Sequence, residues 1–232
     1  MCSVIGALIQ NPTLKDFETV RKVFLESKIR GMHATGVSYV KSNSVVTQKL
    51  PVSADKFPFD FESYLNEDGN LYLIGHCRYS TSDLEYNQPI ANGTHSIVHN
   101  GVITQELAEN WDKLFNYKCE TKNDSELVLH SDSPLEEYTD ASMAVCELTV
   151  DKKLLAYRNG KRPLYLTSLT NGVIITSTAD IPKRAGIKMP AIEVPMNTYL
   201  TFDERMTMNV EVVQTTKTDL QKVDYETQTI SN

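Results

Sequence analysis

Short runs rich in Val, Ile, Tyr and Thr recur along the chain at residues 3–9, 36–40, 71–76, 94–99, 142–148, 154–157, 173–177 and 198–202, each bounded by turn residues. They predict a strand-rich protein. Between the first two, Leu14, Phe17, Val20 and Phe24 fall at helical spacing after Pro12, with Gly31 as a stop, which predicts a helix with one buried face. A second helix is expected from about Thr104, as N-cap, to Leu114, with Leu107, Trp111 and Leu114 on one stripe. A third is expected to start near Asn123 and to carry Leu127 and Leu129. Asn159-Gly160 and Asn171-Gly172 stand between strand-like runs, so the second half reads as an antiparallel meander with hairpins at both dipeptides. Repeats and Pro- or Gly/Ser-rich linkers are absent. The whole of 1–232 therefore reads as one domain with a polar tail from about 214, either frayed or a docking segment.

Composition narrows the class. With 232 residues, 41% hydrophobic and 23% charged, the chain is long enough for one domain to bury roughly 70–75% of its extended surface, so its core needs no disulfide or metal. Thirty Asp and Glu against 23 Lys and Arg give a formal charge of −7, which repels phosphate backbones and anionic membrane surfaces and argues against nucleic acid or membrane as partner. No apolar run approaches the ~20 residues that span a bilayer. The apolar start 4–9 has no basic residue before it and meets Asn11-Pro12 at once. The expectation is a cytoplasmic protein without a signal peptide. Cys2, Cys77, Cys119 and Cys146 form no C-x-x-C pair, as suits a reducing compartment. His95 and His99 are four apart on an expected strand, hence roughly 13 Å from one another, so no metal site and no cofactor is expected. His76 and His99 read as hydrogen-bonded structural residues beside the site.

The chemistry begins at Cys2. A small residue after the initiator methionine permits removal of Met1, which leaves a thiol and a free α-amine on one residue. An α-amine with a pKa of about 7.7–8.0 can accept the proton of a thiol near 8.5 without help from a histidine. Arg30-Gly31-Met32-His33-Ala34-Thr35-Gly36 closes the first helix with glycines suited to tight geometry. Gly75-His76-Cys77-Arg78-Tyr79-Ser80-Thr81 ends an apolar strand with a guanidinium and hydroxyls, the groups that hold a carboxylate. His99-Asn100-Gly101 delivers a side-chain amide and a backbone N–H to one point, the donor pair of an oxyanion hole. Asn123-Asp124-Ser125-Glu126 sets a carboxylate at a capped helix start, where it could meet an ammonium.

Taken in order, N-terminal Cys, R-G-x-x-x-T-G, G-H-x-R-Y-S-T, H-N-G and N-D-S-E resemble the class II glutamine amidotransferases, whose glutaminase domains carry an N-terminal nucleophile. The resemblance runs from about Cys2 to Ser177. It implies an α+β fold, a four-layer αββα sandwich of two antiparallel sheets. Carried over by motif, Cys2 is the nucleophile with its own amine as base, and Asn100 with the Gly101 N–H forms the oxyanion hole. Arg78 grips the glutamine α-carboxylate, Asp124 the α-ammonium, and Thr81 forms the neighbouring wall. Arg30, His76 and His99 support the site, and Asn87-Gln88-Pro89 lines its far side. The stretch from Arg158 to Tyr165 resembles R-D-x-x-G-x-R-P-L, with Asn159 in the Asp position. His33 stands where the family generally has Asp, Ser3 where Gly follows the nucleophile, and Cys77 where a larger apolar residue is usual. The function implied is release of ammonia from glutamine, with the acceptor expected on a separate synthase. The alternatives are a free-standing amidohydrolase acting on γ-glutamyl or related amides, and a silent binding module.

Overall fold

A computed structural model describes residues 2–79 and 87–213. The chain runs β1 (Ser3–Ile9), α1 (Leu14–Ser27), β2 (Ala34–Lys41), β3 (Ser44–Leu50), β4 (Leu71–Arg78), β5 (Ile90–Ala91), β6 (His95–Val102), α2 (Trp111–Phe115), α3 (Glu126–His130) and α4 (Pro134–Glu137). It continues with β7 (Ser142–Thr149), β8 (Leu154–Arg158), β9 (Tyr165–Leu169), β10 (Gly172–Thr176), α5 (Asp180–Arg184), β11 (Ala191–Glu193), β12 (Thr198–Phe202) and β13 (Met208–Val212). The strands form two antiparallel sheets, one of seven in the order β11-β9-β10-β1-β4-β2-β3 and one of six in the order β13-β12-β8-β7-β6-β5.

Three apolar clusters separate the layers. Val4, Leu8, Ile74, Val98, Cys146 and Leu148 fill the space between the sheets. Ile5, Ala7 and Ile9 face the other way and pack with Val20, Val23 and Phe24 of α1. Ile97, Met143 and Val145 pack outward with Trp111, Leu127, Val128 and Leu135. Helix, sheet, sheet and short helices therefore stack as the expected αββα sandwich. β1 and β4 are buried on both faces, which is why they read as continuous apolar runs.

Helix α1 starts at a capping box. The Thr13 hydroxyl accepts from the Asp16 N–H while the Asp16 carboxylate accepts from the Thr13 N–H at 2.8 Å. We expect Thr13→Ala to lower stability by about 1 kcal/mol, read as a drop in urea midpoint at unchanged slope; no drop would show that the box is not needed.

Three local expectations are corrected. The helix from Thr104 to Leu114 is instead a 3-10 turn at Ala108–Asn110 followed by the single turn of α2. Leu107 and Leu114 are exposed and only Trp111 of that stripe is buried, so no apolar face exists to extend the helix. Asn159-Gly160 is no hairpin, because β8 and β9 lie in different sheets and the segment crosses between them. Asn159 anchors that crossing: its Oδ1 accepts from Met143 N–H at 3.0 Å and its Nδ2 donates to the Ala141 carbonyl at 2.5 Å. That pairing needs one acceptor and one donor, which Asn supplies and ionised Asp does not. The hairpin near Asn171 exists, but Leu169 pairs with Gly172, so its turn is Thr170-Asn171. The polar tail from about 214 and Thr81 lie outside the described residues. Among the described residues, no helix is long and apolar enough to cross a membrane.

Candidate active site

Side chains alternate across a strand, and this decides what meets at one end of the space between the sheets. Val4 and Leu8 of β1 point into that space, and Cys2 continues their line. In β4, Tyr72 and Ile74 do so and are followed by His76 and Arg78; in β6, Val98 is followed by Asn100. Cys2, His76, Arg78, Asn100, Gly101 and Asp124 duly line one cavity of about 630 Å³. The pairing Val4 to His76 fixes the register that brings Cys2 to the end of β4.

Backbone proximity places Arg30. A Cβ on Gly31 would lie 2.3 Å from the Cys77 carbonyl oxygen, so only glycine lets the turn after α1 press against β4. Arg30 then donates from Nε to the Cys2 carbonyl oxygen at 3.2 Å. Cys77 points away from the cavity into the α1 layer, and burial pushes its thiol up to about 12. Ser3 lies across from Cys77 on the adjacent strand and is buried. His33 is exposed, its ring 5.0 Å from that of Tyr79 at the cavity rim. Of the three departures from the family pattern, Cys77 and His33 are thus accommodated outside the cavity.

Asn100 is buried, and its Nδ2 has no hydrogen-bond partner among the described residues. A buried amide donor left open at a cavity is costly unless something arrives to accept from it. Gly101 follows with φ 154°, and a Cβ there would stand 1.7 Å from the Ser142 carbonyl oxygen.

His99, on the opposite face of β6, is fully engaged, as expected. Its Nε2 faces the Ser142 carbonyl at 3.1 Å, which only a ring N–H satisfies, so the proton sits on Nε2. Nδ1 then accepts from the Ser125 hydroxyl at 2.8 Å, and that oxygen accepts from Gln88 Nε2 at 3.1 Å. Gln88 Oε1 closes the ring by accepting the His99 N–H at 2.5 Å. Asp124, beside Ser125, accepts with Oδ2 from the N–H groups of Ile103 at 2.6 Å and Thr104 at 3.3 Å. This network ties α3 and the loop after β6 to the strand carrying Asn100.

His76 departs from expectation. It is 1% exposed, yet neither ring nitrogen has a partner among the described residues, so it is not the hydrogen-bonded structural histidine the sequence suggested. It lines the cavity together with Cys2, Arg78 and Asn100, close enough to Arg78 and His99 to feel their charges. Burial first, then the Arg78 charge, depress its pKa to about 3. Burial also lowers that of His99. The unfolded chain therefore binds protons that the native protein refuses, so stability present above about pH 6.5 is lost as pH falls toward 3. We expect the urea midpoint to fall along this limb and His76→Leu to flatten it; an unchanged slope in the variant would remove His76 as a cause.

Sequence reasoning did not anticipate that residues 104–109 wrap the cavity mouth, where Thr104, Glu106 and the exposed Leu107 line it. Arg162, from the crossing held by Asn159, also lines the cavity, with its Nε buried and without a partner among the described residues. Its only signal was its place in the R-P-L stretch.

Comparison with protein-family models and with curated proteins finds no match. Among solved structures, the chain is similar to the glutamine phosphoribosylpyrophosphate amidotransferase of B. subtilis complexed with ADP and GMP, at TM-score 0.71 and 16% identity over 92% of this chain and 50% of that one. It is also similar to a structure described as the allosteric regulatory enzyme of purine biosynthesis, at TM-score 0.69 and 17% identity over 93% of this chain and 50% of that one. The chain thus spans about half the length of each. At these identities the likeness is one of fold, and by fold the chain is similar to the glutamine phosphoribosylpyrophosphate amidotransferase, in agreement with the resemblance carried by its motifs.

Proposed function

We propose that the chain is the glutaminase component of a class II glutamine amidotransferase: it hydrolyses the side-chain amide of glutamine through Cys2 and supplies ammonia to an acceptor on a separate synthase. The observation that carries this is the unpartnered Asn100 Nδ2, buried beside Gly101 in the cavity that Cys2 also lines. An open amide donor facing a nucleophile is what a developing oxyanion requires.

Removal of Met1 frees the Cys2 amine, which takes the thiol proton. The thiolate attacks the glutamine Cδ, the carbonyl oxygen becomes an oxyanion held by Asn100 Nδ2 and the Gly101 N–H, and the amine returns the proton to the departing ammonia. A γ-glutamyl thioester remains, and water activated by the same amine releases glutamate. Arg78 and Asp124 take the α-carboxylate and α-ammonium, so that binding energy orients the amide over Cys2. The exposed Tyr79 and Leu107 at the mouth support docking of a synthase there.

Intact-mass analysis before and after diazo-oxo-norleucine, a glutamine-like electrophile, tests the reading. We expect loss of one methionine and a single adduct on Cys2. Retained Met1 with no adduct would overturn it. Asn100→Ala should lower kcat by roughly 10²–10³ with little change in KM, because the donor binds only the charge formed in the reaction. An unchanged kcat would remove Asn100 from the oxyanion hole.

A further inference from the structure

Outside the cavity lining, three side chains bring sulfur, oxygen and nitrogen together. The Cys119 thiol, the Glu126 carboxylate and the His130 ring offer ligand atoms that all lie within 4.8 Å of one another. Glu126 and His130 are four residues apart on α3, so they share a face. His130 Nε2 is 3.5 Å from Glu126 Oε1, yet that nitrogen is sealed from solvent without a hydrogen bond. The contact is an ion pair only when the imidazole is protonated. Two ligands on one tetrahedral zinc-sized ion, with bonds of about 2.0–2.2 Å, stand about 3.4 Å apart.

The surroundings are those of a held ligand set. Glu126 is 4% exposed, and its carboxylate is oriented by the N–H groups of Glu120 at 2.7 Å and Thr121 at 2.6 Å and by the Thr121 hydroxyl at 2.6 Å. Ligating carboxylates carry such outer hydrogen bonds; here the two from Thr121 end on Oε2, while Oε1 accepts from Glu120 alone and keeps a lone pair for a metal. The Tyr117 ring stacks on His130 with centroids 5.6 Å apart, fixing the plane of the imidazole.

We propose that Cys119, Glu126 and His130 bind one borderline-soft divalent metal ion of the zinc class, with solvent completing the coordination. Thiolate and imidazole together select this class over magnesium or calcium, which take oxygen ligands. Binding exchanges the thiol proton for the metal: the S–H bond breaks, a metal–sulfur bond forms, and the proton leaves to solvent with no change in oxidation state. The ion would clasp the loop at 119–121 onto α3, the segment that also presents Asp124 and Ser125. The sequence reading sought metal pairs among histidines alone and passed over C-x6-E-x3-H.

The test uses the full chain with Cys2→Ala, which removes the other half-buried thiol and leaves Cys77 and Cys146 fully buried. After stripping with a chelator, titration with Zn²⁺ and with Co²⁺ should show one equivalent bound, a thiolate-to-cobalt charge-transfer band and a higher melting temperature. Adding Cys119→Ser or His130→Asn should abolish the band or weaken binding by more than about 100-fold, beyond the loss typical of outer-shell partners. Absence of a one-equivalent site, or one whose affinity survives Cys119→Ser, overturns the proposal. Should a variant fail to fold, alkylation decides: Zn²⁺ protects Cys119 in the parent, and unprotected labelling overturns the site. Because Cys2 is absent throughout, the outcome is independent of the glutaminase reading.

Discussion

Cys2→Ala is expected to lower glutamate production from glutamine by on the order of 10⁴-fold or more while leaving glutamine binding nearly intact. The asymmetry follows from the layout of the site. In the proposed mechanism Cys2 supplies the sulfur that forms the thioester, and loss of such a nucleophile leaves only the rate enhancement due to binding and oxyanion donors. The groups assigned to hold glutamine, Arg78 and Asp124, stand on β4 and before α3, and Asp124 is held in place by the N–H groups of Ile103 and Thr104. Arg30 reaches the Cys2 backbone oxygen, which alanine retains. A glutamate-release assay beside calorimetric titration with glutamine measures both quantities. Turnover at the normal rate would remove Cys2 as nucleophile.

Gly101→Ala is expected to cost about 3–5 kcal/mol of stability and the proposed oxyanion hole with it. A methyl at this position would stand 1.7 Å from the Ser142 carbonyl oxygen and 2.7 Å from His99 Nε2. The first of those atoms belongs to the β7 backbone opposite, which cannot turn aside as a flexible side chain would. Overpacking of this kind typically costs 1–3 kcal/mol, and the unfavourable φ of 154° adds roughly 1–3 more. To make room, β6 must part from β7, moving Asn100 away from the cavity and breaking the contact of His99 with Ser142. The urea midpoint and kcat should therefore fall together. A stable variant with normal kcat would show that β6 accommodates the methyl without moving its donors.

The parts of the fold that were legible in the sequence are those whose burial is uniform. β1, β4 and β7 are enclosed on both faces, and α1 carries one apolar stripe above a capping box, so hydrophobic pattern and local chemistry agree. β3, β11 and β13 went unread because they lie at sheet edges; β13 is exposed at every position and carries no core signal. β9, partly exposed between β10 and β11, was missed for the same reason. Asn159-Gly160 misled because a dipeptide records willingness to turn and not which sheet the next strand joins.

The site was legible to the extent that it is written in consecutive residues. G-H-x-R, H-N-G and N-D-S each lie at a strand end or helix start, and alternation then sends Arg78 and Asn100 into the same cavity. What depends on absent partners was not legible. No pattern of residues announces that His76 would have both nitrogens unsatisfied, or that the segment after β6 would be held by Asp124 instead of coiling into a helix. The cluster of Cys119, Glu126 and His130 likewise becomes visible only when the loop before α3 folds back over it.

The strand that follows Cys2 has neighbours drawn from distant parts of the chain. β1 is hydrogen-bonded to β4 on one side and to β10 on the other, and the Val4 N–H donates to the Ser177 hydroxyl at 2.8 Å across 173 positions. Closing so long a loop is slow and comes late in folding. During synthesis Cys2 and β1 are made well before Ser177, the residue that completes the wall against which the strand is fixed. On the proposed reading, the nucleophile therefore has no complete pocket until this sheet has closed, and the order of assembly withholds activity from the incomplete chain.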